Sequence, residues 1–236
     1  MSRTIASIAV VLVLLGCCIP EHAIAQQTPA DSSGRFFDIS VVLGISVHST
    51  PSLSNYINAL TQPTIDQKVD QFNSAPEFSI VPELQVANEW SVGLEYSLLV
   101  KSYSIDSRTS YPHTDISYQV QMPSVLVHYL VFGQGFRLKF GGGIGYHFMK
   151  FEQSFPALGV DETFRTNGPG FKLDAVGNTK FDESFYGSIG LDLRWDFLGT
   201  LSRGSAASQA ARSGPDLPSM TFFNAGVKLG VTFQLL

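Results

Sequence analysis

Nine ionisable side chains recur in segments whose alternate positions are apolar. They are Asp38, Glu83, Glu95, Lys101, Arg137, Lys139, Asp192, Arg194 and Lys228. A period of two places each of them on one face of a strand, with the apolar residues on the other. Five bases and four acids facing the same enclosed space must neutralise one another, because an unpaired charge away from water is costly. Two kinds of chemistry follow. One is a static network of ion pairs and hydrogen bonds that fills a closed sheet. The other is a narrow, gated polar path for ions or small solutes. The static network is the expected reading.

The remaining chemistry-bearing residues point to less. His48 stands at a strand end and His113 in a loop. His128 and His147 lie on neighbouring strands and are expected near each other. No histidine pair has the i, i+2 or i, i+4 spacing of a local metal site with carboxylates beside it, so no metal is expected. Asp66, Lys68 and Asp70 read as a solvated face, and the EF-hand pattern is absent. A lipid-modifying site in a barrel wall needs a serine, a histidine and an acid near one rim. His147, Ser154 and Glu152 are the candidates, though residue types this common coincide by chance. No catalysis and no cofactor are expected.

The elements that carry these residues are strands. Arg35–His48 alternates Phe37, Ile39, Val41, Leu43, Ile45 and Val47 with Asp38, Ser40, Gly44 and Ser46. Pro76–Ala87 and Trp90–Tyr103 follow, joined at Asn88-Glu89. The fourth segment, Ile116–Phe132, switches its apolar parity near Pro123: Tyr118, Val120 and Met122 give way to Val125, Val127, Tyr129 and Val131. A parity change beside a proline predicts a bulge. Phe136–Phe148 follows a turn at Gly133-Gln134-Gly135 and carries Gly141, Gly143 and Gly145 on its polar face. A weak sixth strand is expected over Gly170–Lys180. Phe185–Leu198 alternates strongly, its second face holding Tyr186, Ser188, Gly190, Asp192, Arg194 and Asp196. The last segment alternates from Thr221 to the final residues.

Short turns at Asn88, Gly133 and about Asp182 thus interleave with long loops at Thr50–Ala75, Ser104–Thr114, Glu152–Pro169 and Gly199–Pro218. This rhythm fits an eight-stranded antiparallel up-and-down transmembrane β-barrel. A soluble barrel or sandwich also has about eight strands, with its apolar face inward, and parity alone does not choose between them. The long alternating runs, the strand glycines and the turn rhythm favour the membrane. Trp90 and Tyr129 near the short turns, with Phe148, Trp195 and Phe197 near the long loops, are then placed as interfacial rings.

Residues 1–25 read as a signal peptide: Arg3, an apolar run from Ile5 to Leu15, and an Ala23-Ile24-Ala25 cleavage site. Leu14-Leu15-Gly16-Cys17 offers a lipoprotein cut as the alternative, with Cys17 lipidated. Residues 26–34 read as a flexible leader and 35–236 as the barrel. Cleavage after Ala25 removes both cysteines and so excludes disulfides and thiol chemistry. The net charge of −5 is mild and argues against a nucleic-acid partner.

Several stretches carry a family resemblance: Gly93-Leu94-Glu95-Tyr96, Val120 to Tyr129, Gly141 to Tyr146, and Gly190 to Trp195. On these the chain resembles the eight-stranded outer-membrane β-barrel proteins, the porin-like barrel domain group, and more loosely the OmpX and OmpA barrels. Its closing segment resembles their assembly signal, with Lys228 as the polar residue, Gly230 as the glycine, and Phe233 and Leu235 as the paired hydrophobics. The resemblance implies a bacterial outer-membrane location, outer-membrane lipid as the surroundings, and the barrel assembly machinery as a partner during insertion. It implies no shared activity. A structural or surface-interaction role is therefore expected first, a narrow porin second and a lipid-modifying enzyme third.

Overall fold

The computed structural model describes residues 35–62, 66, 68–70, 72–106, 108, 113–203 and 217–235. The signal segment, its Cys17 alternative and the leader lie outside the described residues. The strands are β1 (Phe37–Ser49), β2 (Phe72–Ala87), β3 (Trp90–Asp106), β4 (His113–Gly133), β5 (Phe136–Phe155), β6 (Val160–Asp182), β7 (Phe185–Thr200), a two-residue β8 (Ser202–Arg203) and β9 (Ser219–Gln234). One helix, α1 (Pro51–Thr61), lies between β1 and β2.

The long strands pair antiparallel in chain order, and β9 pairs with both β7 and β1. The β5–β6 ladder completes a ring of eight, on which β8 is an accessory to β6. Closure gives each long strand a neighbour on both sides within the ring, as a sheet in lipid requires.

Burial settles the parity that the sequence leaves open. The apolar face points outward: Ile45, Ile144 and Leu229 are 64 %, 63 % and 61 % exposed, and outward Val, Leu, Ile and Phe continue around the wall. A soluble monomer rarely exposes a contiguous apolar patch beyond a few hundred Å². Aromatic pairs border this band. Trp90–Tyr129 and Phe185–Phe233 have ring centroids 5.4 and 5.3 Å apart at the short-turn end. Trp195–Phe223 and Phe171–Phe197, at 5.3 and 6.1 Å, lie toward the other end.

Three sequence expectations are corrected. The sixth strand is the longest of all: β6 runs through 23 residues, and Glu152–Pro169 is mostly ladder closed by a short turn at Pro156–Leu158. The segment Thr50–Ala75 contains α1 and the start of β2.

The third correction is at Pro123, where there is no bulge. The β3–β4 register runs without a slip from Trp90↔Tyr129 to Asp106↔His113, passing through Tyr96↔Pro123. Tyr118, Val120 and Met122 keep the inward parity of Ser124, Leu126 and His128. The apparent switch is a change of surroundings. Inside the apolar band, polar residues face in and apolar residues face out. Beyond it, Leu99, Ile105, Ile116, Tyr118, Met149, Phe151 and Phe164 face in, under Leu53, Tyr56 and Ile57 of α1. There the outward positions are Ser102, Ser104, Asp115, Ser117, Glu152 and Ser154. The barrel is thus polar-filled within the band and plugged by an apolar cluster at its long-loop mouth.

Candidate functional site

Eight of the nine ionisable residues singled out above are buried inside the ring, all but Lys101. Lys101 shares their parity but sits beyond the apolar band, partly exposed, where its Nζ donates to the Ser74 carbonyl at 2.7 Å.

The eight join others in a chain of alternating sign. Arg137 pairs with Asp38, and Lys139 Nζ lies 3.5 Å from the same carboxylate while also donating to Glu83. His128 bridges Glu83 and Asp174, Nδ1 at 2.9 Å from the first and Nε2 at 3.0 Å from the second. Lys172 continues from Asp174 (2.9 Å) to Glu95 (2.9 Å). Lys228 links Glu95 (3.4 Å) to Glu77 (2.7 Å), and Arg194 meets Glu77 at 3.2 Å and Glu95 at 3.6 Å. Asp192 stands beside Lys228 at 3.5 Å and Arg194 at 3.9 Å.

Each imidazole nitrogen of His128 faces a carboxylate oxygen. Both must therefore donate, and the ring is an imidazolium. Every cation of the chain touches at least one carboxylate, which is what makes charge tolerable at this burial.

A second cluster lies between this chain and the apolar plug. His147 Nδ1 is 2.5 Å from Asp196 Oδ1, and Nε2 is 3.2 Å from Ser124 Oγ. Asn224 donates to the other Asp196 oxygen at 2.8 Å. Register explains how the ring reaches both partners. Ser124 pairs with Gly145, Gly145 with Gly170, and Gly170 with Asp196, so the four form one row across β4 to β7. The imidazole lies over the two glycines: a Cβ on Gly145 would come 2.6 Å from its Nε2, and one on Gly170 would come 2.1 Å from its Cε1. The order serine, histidine, aspartate is that of a nucleophile relay. Here all three are buried, and the arrangement ties four strands together.

The lipid-modifying set is not assembled. Glu152 is exposed and pairs with Lys150 at 2.6 Å, and Ser154 shares its outward parity, whereas His147 faces inward. His128 and His147 are also apart. Register sets His128 opposite Gly141, six positions along β5 from His147, or about 20 Å of strand.

Sequence reasoning missed Glu77, Lys172, Asp174 and the partners of both histidines. Glu77 was legible, since it shares the odd parity of Ser79 and Glu83. Lys172 and Asp174 lay in the strand read as weak. Among the described residues, interior cavities of about 50 and about 10 Å³ are found. The larger is lined by the charged chain, Asp192 and Lys228 included, and is room for a few waters rather than a passage.

No protein-family model and no curated protein matches the chain. Solved structures do. The chain is similar to the outer membrane protein OprG of Pseudomonas aeruginosa, with a TM-score of 0.50 and 11 % identity, covering 86 % of this chain and 96 % of that one. It is also similar to Neisserial surface protein A, with a TM-score of 0.49 and 11 % identity over 85 % and 98 %. A third is the attachment invasion locus protein Ail of Yersinia pestis, at 0.46 and 11 % over 84 % and 98 %. The ring of eight antiparallel strands, apolar outside and charged within, has the fold of the eight-stranded outer-membrane β-barrels.

Proposed function

We propose that this protein is a non-conducting barrel of the bacterial outer membrane with a structural and surface-directed role. The observation that carries the reading is the filled interior. An alternating ion-pair chain occupies the barrel within the apolar band, and an apolar cluster under α1 closes its mouth. A solute path would have to break several buried ion pairs and displace Tyr56, Ile57 and Phe151 together. A Ser/His/acid relay roofed by the same plug gives no support to catalysis.

The surface-directed part rests on the strand extensions. The β2–β3 ladder stops at Glu77↔Leu99, whereas β3–β4 continues to Asp106↔His113 and β5–β6 to Phe155↔Val160. Strands β3 to β6 therefore rise past the band as a wall with a hydroxyl- and carboxylate-rich outer face, suited to meeting a partner through polar contacts. In the same reading β9 carries the insertion signal read by the barrel assembly machinery. Phe233 and Leu235 are presented outward, Lys228 is turned into the ion-pair chain, and Gly230 lies between them.

The test has two steps. In isolated outer membranes the protein should run as a compact band that shifts on boiling. Purified and placed in planar bilayers, it should show no stepwise current. Steady conductance would replace this reading with a narrow porin, and a protein found soluble in the periplasm would remove the membrane assignment itself.

A further inference from the structure

The outer wall carries a feature that the filled interior does not explain. A groove of about 660 Å³ opens on the outward face of β2 to β5, lined by Leu94, Tyr96, Pro123, Ile144, Tyr146 and Phe148. Its floor is low because Pro123 sets a short ring in register with Tyr96, and the β4–β5 ladder passes from Gln121↔Phe148 to Ser124↔Gly145 around it. The groove lies in the half of the band nearer the long loops. One step further from the short turns, the outward positions become polar: Gln121 and Asn167 flank Phe148 in register, and Tyr146 Oη donates to Asn167 Oδ1 at 2.6 Å.

The next outward row holds two cations. Lys150 and Arg165 are direct register partners across β5 and β6. Both are outward and solvent-facing. Like charges placed opposite one another across strands are destabilising, with Cβ atoms about 5 Å apart. Glu152 relieves Lys150 on one side, but among the described residues no carboxylate pairs with Arg165. An anion between the two resolves the repulsion. A phosphate matches both groups, since a guanidinium binds two of its oxygens and an ammonium binds as a point charge.

We infer that this patch binds a phosphorylated acyl lipid of the surrounding leaflet, its phosphate held between Lys150 and Arg165 and one acyl chain laid in the groove at Pro123. Lys150 lies two residues beyond Phe148 on the same face, about 7 Å along the strand. That is the offset between a lipid headgroup and the start of its chain. The inference rests on the membrane reading above, and it names the lipid chemistry on one side of the barrel.

The full mature protein is inserted into phosphatidylcholine vesicles containing bisphosphorylated lipid A, or lipid A of identical chains with both phosphates removed. It is then released in mild detergent, and bound lipid is counted by native mass spectrometry. The phosphorylated form should be retained over the dephosphorylated one. The double variant Lys150→Gln/Arg165→Gln should lower that retention about thirtyfold, on the scale of ~1 kcal/mol per basic residue beside an anionic surface. Pro123→Leu, which fills the groove floor, should lower retention of both forms while leaving the boiling-sensitive gel band intact. Equal retention of the two lipid forms, or retention unchanged in the double variant, overturns the inference while the membrane reading stands. Failure of the wild-type protein to give that gel band in phosphatidylcholine alone removes the membrane reading, and the inference with it.

Discussion

His128 on β4 and Asp174 on β6 meet at 3.0 Å although the two strands are not neighbours. Gly141 of β5 stands between them, paired with His128 on one side and with Asp174 on the other. A side chain there would block the crossing: its Cβ would come 2.0 Å from the Val127 carbonyl and 2.8 Å from His128 Cδ2. The glycine thus lets one ion pair span three strands. Gly141→Ala should destabilise the barrel by about 3 kcal/mol, combining strain with a displaced buried charge pair. Urea unfolding of the vesicle-inserted protein, followed by tryptophan emission, measures it. An unchanged midpoint would show that the ring does not need this crossing.

The imidazolium of His128 should matter more for its charge than for its shape. His128→Leu leaves Glu83 and Asp174 without a shared cation and should cost roughly 3–5 kcal/mol. Adding Asp174→Asn should recover part of that loss, because one of the two carboxylates facing the lost imidazolium is then gone and Glu83 keeps Lys139. A double-mutant cycle on the same unfolding curves reads the coupling. Additive losses would mean that the two residues act independently.

Phe151 is fully buried in the apolar plug, 6.4 Å from the Tyr56 ring of α1 and 5.7 Å from Phe164. Phe151→Ala should cost about 3–5 kcal/mol. It should also loosen α1, which is seen as faster proteolysis within Pro51–Thr61 while the strand ladder stays protected from hydrogen exchange. Ladder protection lost together with the helix would mean that plug and ring unfold as one unit.

At the tip of the β3–β4 extension, ten residues beyond Pro123, His113 is exposed and sits 3.0 Å from Asp106 and 3.5 Å from Asp115. The hydrogen bond to Asp106 and then the charges of both aspartates raise its pKa above the ordinary 6.5. A raised pKa means the contact contributes while the ring is protonated. The contribution is complete below about pH 6.5 and fades as the pH rises through the higher folded value. In a histidine NMR titration of the inserted protein, the His113 midpoint should lie above that of a free histidine and fall back in Asp106→Asn. A midpoint unmoved by that change would show that the pair is not formed at the tip.

The local pattern was enough to place eight strands, the two faces of each and their antiparallel order, but it gave the sixth less than half its length. Hydrophobicity with a period of two survives in any strand that separates two media, and short turns leave neighbouring strands no other pairing. Most of the inward charges were legible for the same reason: Asp38, Glu83, Arg137, Lys139, Asp192 and Arg194 interrupt apolar runs at one parity. What tertiary structure decided was which medium lies on which side, and where that changes. Tyr118, Val120 and Met122 read as the near side of a parity switch at Pro123, and Glu152 and Ser154 as loop, because polarity marks a strand face only while its surroundings stay the same. Beyond the apolar band the outside is water and the inside is a plug closed by α1, so the pattern inverts without any break in the ladder. The partners of the charges were out of reach for a related reason. Strand parity says that His128 and His147 point inward. Only ring closure, register and the glycines beneath them determine that one lies between Glu83 and Asp174 and the other between Ser124 and Asp196.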